Sequence, residues 1–279
     1  MKEVLFNNVE KIMVSRIFLS ILLVFLSAFF SGCEDGVNIF TPSDDVQLGL
    51  QLHNEIVGNP KEYPVLNNQQ VTNYVQDIVN AIILSPKIKY RSTFKYQVTI
   101  INNDEIVNAF ATPGGFIYVY TGLLKFLDNE ATLAGVLAHE IAHCERRHAT
   151  QRMTKAYGVS ILLDIVLGKN PSKTEEIAAN LLVGLAFLKN SRDDEYEADE
   201  WAYEYLKSTQ WYPGALIFFF DKVKKNEGSS FLEVLLSTHP LSQDRIDRLN
   251  KKIKDDNLPP PNEGNLFQDR YQNFKRLLP

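Results

Sequence analysis

Only two cysteines occur in 279 residues, which excludes the disulfide framework that holds small secreted domains together. Basic residues are outnumbered, 29 Lys and Arg against 34 Asp and Glu, and a formal charge of -5 leaves no excess positive charge to neutralise phosphates, so no nucleic-acid partner is expected. Long apolar stretches are scarce as well. There is no series of apolar runs of about 20 residues that would mark a chain threaded repeatedly through a membrane. No repeat of about 20 to 50 residues marks a solenoid. What is present is 45% apolar content, enough for a folded chain of one or two domains.

Part of that content is concentrated at the start. Ile17 to Phe30 holds fourteen residues of which only Ser20 and Ser27 are polar, behind Lys11 and Arg16. The run is short for a spanning helix and has the parts of a secretory signal peptide, with Met13 as a plausible start. Phe30-Ser-Gly-Cys33 resembles a bacterial lipobox, in which the cysteine is acylated and becomes the first residue of the mature chain. The alternative is an uncleaved anchor helix that contains Cys33. The expected organisation is a signal peptide at 1–32, a tether at 33–43, a folded domain at 44–254 and a Pro-containing extension at 255–279. Acyl chains on Cys33 would hold the protein at a membrane surface, each buried CH₂ contributing about 0.8 kcal/mol.

Within the domain, Val71, Tyr74, Val75, Ile78, Val79 and Ile82 share one face of a helix over Asn67 to Leu84. Phe94, Tyr96, Val98 and Ile100 alternate with polar residues as in a half-buried strand. Asn108 to Tyr120 reads as strand, Pro-Gly-Gly turn, strand. Helices are expected from Asn129 to about Arg147, Tyr157 to Leu167, Glu175 to Leu188, Ser191 to about Lys207, Pro213 to Lys225, Ser230 to Ser237 and Ser242 to Ile253. The Ser191-x-x-Asp194 form is that of a helix start. Leu266 to Pro279 either docks as a last helix or stays loose.

His139-Glu-Ile-Ala-His143 carries chemistry. Four residues is slightly more than one helical turn, so both imidazoles leave one face and can grip a single metal ion. A catalytic zinc takes three protein ligands and keeps one position for water, so a third ligand must come from elsewhere. His148 lies about 140° around a continuing helix from His143 and is expected at the surface, as is His53 on a polar helical stretch. Cys144 points about 100° from His143 and is expected to pack. In Glu195-Tyr-Glu-Ala-Asp199 the outer carboxylates are i and i+4, on a face continued by Ala198, Ala202 and Leu206. Burying them would be costly without a metal or a partner. Read alone, the segment fits a solvated acidic face as well.

HEIAH followed about fifty residues later by SRDDEYEAD resembles the zinc metalloproteases that include HtpX-type membrane proteases, CAAX prenyl-proteases and BepA-like periplasmic proteases. Asn108-Ala-Phe-Ala-Thr-Pro-Gly-Gly before the metal helix and Thr238-His-Pro240 with Arg245 after it stand in the family's order. The resemblance implies an α+β, mostly α, zincin-like domain with a small antiparallel or mixed sheet beside the active-site helix. It implies one Zn2+ per chain on His139, His143 and Glu195, with Asp199 accepting an N–H from a ligating imidazole and Glu140 as general base. Asn108, Ala109 and Phe110 would form the edge strand that pairs with substrate. His239 would be a fourth ligand or an oxyanion donor, with Arg245 as a second cation; as a lone His-Pro it could equally cap the following helix.

The expected activity is zinc-dependent hydrolysis of peptide bonds in misfolded or misassembled envelope proteins, by a lipoprotein on the periplasmic side of a bacterial envelope membrane, the outer one expected. The alternative is a zinc-stabilised chaperone or assembly factor that uses the same groove without proteolysis.

Overall fold

The computed structural model describes residues 38–157 and 190–279. Cys33, the apolar leader and, Tyr157 apart, the expected helices at 157–167 and 175–188 lie outside the described residues.

Helix α1 (Pro42–Val57) starts on a capping box. Thr41 Oγ1 accepts from Asp44 N at 3.2 Å and Asp44 Oδ2 accepts from Thr41 N at 2.7 Å, with Pro42 in the first turn where its missing N–H costs nothing. Helix α2 (Gln69–Ile82), capped by Asn68, buries Val71, Val75, Ile78, Val79 and Ile82, the stripe set by the helical period.

The strand expected from Phe94 pairs only from Gln97, as β1 (Gln97–Ile101). Tyr96 takes φ 45°, and this left-handed residue turns the chain just before the ladder begins. Phe94, Tyr96, Val98 and Ile100 are all buried as the alternation required. Strands β2 (Ala109–Thr112) and β3 (Phe116–Tyr120) flank the Pro-Gly-Gly turn. At its centre Gly114 has φ 76°, and a Cβ there would stand 2.6 Å from Val46 Cα, so glycine both makes the turn and admits α1 against it. β3 runs parallel to β1 and antiparallel to β2 in the order β1-β3-β2, which makes the sheet mixed and β2 one of its edges.

Helix α3 (Thr121–Phe126) follows directly, then α4 (Glu130–Glu145), capped by Asn129. Every residue of α4 is buried, as befits a helix with apolar residues on all sides at the centre of a domain. Around it pack α2, β2, α6 (Arg192–Leu206) and α7 (Leu216–Lys225), with α5 (His148–Tyr157) leaving its C-terminal end. A 3₁₀ turn (Ser230–Leu232), α8 (Glu233–Thr238) and α9 (Gln243–Asp255) complete the site side. The architecture is α+β and mostly helical. No helix among the described residues is long and apolar enough to cross a membrane.

The C-terminal segment docks. After α10 (Glu263–Leu266), α11 (Gln268–Lys275) buries Tyr271 and Phe274. The Phe274 ring stacks on Tyr74 at 3.9 Å, and Tyr271 Oη donates to Leu124 O at 2.7 Å. Lys275 Nζ donates to the carbonyls of Lys125 and Leu127 at 2.6 and 3.0 Å, satisfying acceptors at the end of α3.

Candidate active site

His139 and His143 leave the same face of α4, their Nε2 atoms 3.0 Å apart. From α6, Glu195 brings Oε1 to 3.4 Å from His143 Nε2 and Oε2 to 3.5 Å from His139 Nε2. His239, at the end of α8, places Nδ1 3.0 Å from Glu195 Oε1 and 3.1 Å from Asn190 Nδ2. One ligand atom from each of His139, His143, Glu195 and His239 lies within 4.8 Å of the others, and all four residues are buried.

The donors fit a zinc-type ion, whose ordinary ligands are imidazole nitrogen and carboxylate oxygen. Glu195 Oε2 supports the fit. It is buried and stands 2.6 Å from Arg245 Nη1, whose charge offsets its desolvation, yet it accepts no aligned hydrogen bond and so keeps a lone pair for a metal ion.

The electrostatics divide the cluster. Burial pushes the Glu195 carboxyl up, but His239, His139 and His143 outweigh it and hold it well below the usual range. Burial keeps His143 well below an ordinary histidine. It pulls His139 down too, but Asp199 and Glu195 prevail and lift that imidazole to about 9. Glu140 is different. Burial raises its carboxyl above the usual value against the opposing imidazoles of His239 and His139, and its Oε1 faces His239 Nε2 at 3.7 Å. A carboxylate raised toward neutrality is a better proton acceptor for work near pH 7.

Asp199 Oδ1 stands 2.9 Å from His139 Nδ1, on the side of the ring away from the cluster. Arg245 departs from the role of second oxyanion cation. Its Nε and Nη2 each donate to Asp199 at 2.7 Å, Nη1 donates to Pro240 O at 3.1 Å, and the side chain is buried. The guanidinium is committed to fixing two carboxylates of α6. Asn190, beside His239, went unnoticed in sequence because a lone Asn before a helix start carries no distinctive signal.

Two histidines lie where sequence spacing did not place them. His148 is buried, not at the surface, with Nδ1 2.8 Å from His143 Nδ1 and Nε2 2.9 Å from Glu197 Oε2. The 140° offset assumed a continuing helix, but α4 ends at Glu145 and Arg147 takes φ 58°, which folds His148 back. Neither glycine nor proline marks that break. His53 is half-buried, its ring stacked on Phe116 at 5.2 Å and its Nδ1 3.0 Å from Tyr118 Oη. Cys144 is buried with Sγ 3.6 Å from Thr112 O.

Edge strand β2 borders the same cleft, which Asn108, Phe110, Ala111, Glu140, His143 and His239 line. Ala109 is buried, and Phe110 stacks on Tyr118 at 4.6 Å. Asn108 is buried with Oδ1 lacking a hydrogen-bond partner.

The profile of peptidase family M48 matches residues 69–253, two thirds of the chain and every element of the cluster. The chain belongs to this family. Among M48-like relatives, the chain is 29% identical over 212 residues to the beta-barrel assembly-enhancing protease of Escherichia coli (strain K12), covering 72% of this chain and 42% of that protein. It is 28% identical over 209 residues to the mitochondrial metalloendopeptidase OMA1 of Saccharomyces cerevisiae, covering 72% of this chain and 59% of the relative. With OMA1 of Arabidopsis thaliana the identity is 35% over 148 residues, 52% of this chain and 29% of the relative. The alignments thus span 29 to 59% of the length of these relatives, less than two thirds in each case.

Proposed function

We propose that this M48 protein is a zinc-dependent endopeptidase acting on misfolded or misassembled proteins of the bacterial envelope, held on the periplasmic side of the outer membrane by acyl groups on Cys33. The observation that carries the catalytic part is the convergence of His139, His143 and Glu195 beside a buried Glu140 whose carboxyl is raised by burial. The anchor and the substrate class rest on the lipobox-like Phe30-Ser-Gly-Cys33 and on the names of the relatives.

In this reading His139, His143 and Glu195 hold Zn2+, which supplies Lewis acidity to activate water near neutral pH and to polarise a peptide carbonyl. Glu140 accepts the proton of the attacking water and returns it to the leaving nitrogen. Asp199, with Oδ1 2.9 Å from His139 Nδ1, holds the ring by close charge pairing rather than by an aligned hydrogen bond, and Arg245 holds Asp199 and Glu195 in register. His239 stands across from Glu140, placed to complete the ligand set or to donate to the oxyanion. The Asn108–Phe110 edge offers backbone pairing to an extended peptide, a mode that supplies affinity with little demand on sequence.

Glu140→Gln tests the reading. Proteolysis of an unfolded protein such as casein should fall about 10²- to 10⁴-fold while zinc stays bound. Wild-type turnover in that variant would reject the mechanism, and full complementation of a deletion strain by it would favour the chaperone alternative. Because ligating imidazoles must be deprotonated and, against the pull of burial, Asp199 and Glu195 lift His139 to about 9, apparent zinc affinity should fall progressively as the pH drops below about 9; an affinity unchanged down to about pH 4 would count against a histidine-held metal.

A further inference from the structure

The two imidazoles of α4 are anchored by different means. His139 meets a carboxylate directly, Asp199 Oδ1 standing 2.9 Å from its Nδ1. Among the described residues, no carboxylate meets His143 at its Nδ1. There it meets a second imidazole, His148 Nδ1, at 2.8 Å, and the far nitrogen of that ring reaches Glu197 Oε2 at 2.9 Å. Glu197 is in turn oriented by Arg146, whose Nε donates to Oε1 at 2.6 Å. Asp199 and Glu197 both come from α6, the helix that carries Glu195.

We infer that His148 is a positioning residue for the metal site, a relay through which Glu197 sets the tautomer and orientation of His143. The proton count allows one assignment for two neutral rings. The close Nδ1···Nδ1 pair shares a single proton. If His148 Nδ1 carried it, His148 Nε2 would turn a lone pair toward a carboxylate oxygen at 2.9 Å, acceptor against acceptor. Glu197 therefore draws the His148 proton to Nε2, His148 Nδ1 becomes an acceptor, and the shared proton belongs to His143 Nδ1. That leaves the lone pair of His143 on Nε2, the nitrogen that faces His139 and Glu195. A metal-ligating histidine needs this arrangement, and outer partners that enforce it are commonly worth a factor of about 10 to 100 in metal affinity. The relay depends on the kink at Arg147, since only the reversal after α4 returns His148 to His143.

This inference rests on the proposal that His143 ligates zinc, and the experiment separates the two. In the full chain, zinc affinity is measured by competition with a chromophoric chelator for wild type, His148→Leu and His148→Asn. Ring tautomers in chelator-treated protein are read from ¹⁵N–¹H long-range correlations. Leu fills similar space without an acceptor, and Asn restores one near the Nδ1 position. Expected are a loss of about 10- to 100-fold in His148→Leu, recovery of most of it in His148→Asn, and a wild-type His143 protonated on Nδ1. A folded His148→Leu that binds zinc as wild type does, an Asn variant no better than Leu, or a wild-type His143 protonated on Nε2 would overturn the relay. Should His148→Leu not fold, Glu197→Ala carries the same test from a partly exposed position: weaker zinc binding and a mixture of His143 tautomers are expected, and wild-type values for both would reject it. Failure of the wild type to bind zinc would sink the functional reading alone, because the tautomer measurement still decides the relay.

Discussion

Helix α4 buries three glutamates, and two of them ten positions apart, Glu130 and Glu140, have surroundings that differ in kind. Glu130, in the first turn, is saturated with donors. Trp211 Nε1 donates at 2.7 Å, Arg270 Nε at 2.5 Å, and the Tyr74 hydroxyl and Arg270 Nη2 complete the set. Glu140 is equally buried but faces only an imidazole at 3.7 Å and accepts no hydrogen bond among the described residues. A buried carboxylate surrounded by donors is a fastener, because its desolvation is offset by charge-assisted hydrogen bonds. One left short of donors is poised to take a proton, and burial correspondingly raises its carboxyl. Glu145, in the last turn, is likewise served by Lys89 N, Tyr90 N and the Tyr96 hydroxyl, so the same helix supplies structure at both ends and reactivity between them, and neighbours on other elements decide which.

Mutations can break that contrast. The largest effect should follow Glu140→Gln, a loss of about 10²- to 10⁴-fold in turnover with the melting temperature at or above that of wild type, since a poorly solvated charge is removed. Glu130→Ala should do the reverse. It strands the donors of Trp211, Tyr74 and part of Arg270, and a cost of about 3 kcal/mol is expected in chemical denaturation with excess chelator. Turnover per folded molecule should stay near wild type. A Glu130 variant that loses activity at full stability would erase the distinction. Asp199→Ala should fall between, weakening zinc binding about 10- to 100-fold by freeing the His139 ring.

The difference between the two glutamates was only half legible in sequence. HEIAH announced Glu140, because two imidazoles one turn apart and an intervening carboxylate have a shared chemical use. Glu195 and Asp199 were legible as an i, i+4 pair beside alanines, and the Ser191 helix start fixed the face they share. Glu130 carried no such mark. Its partners come from α2, from the loop before α7 and from α11, 140 residues away in the case of Arg270, and no local period connects them. His148 was misplaced for a similar reason. The turn at Arg147 has a positive φ without a glycine to signal it, so the local sequence reads as a straight helix where the chain reverses. The docking of α11 was undecided in sequence because Tyr271 and Phe274 are too few to set a period; their burial depends on a groove built from α2 and α3.

The smallest expected effect bears most closely on what makes Glu130 a fastener. Burial first, and then the charge of Glu130, push the Tyr74 hydroxyl well above the usual tyrosine range, so it remains a donor wherever the protein is folded. Tyr74→Phe removes that single donor and keeps the ring that stacks on Phe274 at 3.9 Å. Because Trp211 and Arg270 still serve the carboxylate, the loss should approximate one net hydrogen bond, about 1 kcal/mol, or about 2 to 4 °C in melting temperature for a domain of this size. Zinc affinity and turnover should be unchanged. A loss as large as that of Glu130→Ala would mean that the cluster acts as a unit rather than as a sum of donors. A changed zinc affinity at constant stability would instead show that the first turn of α4 communicates with the imidazoles two turns away, and the separation of Glu130 as fastener from Glu140 as proton acceptor would fail.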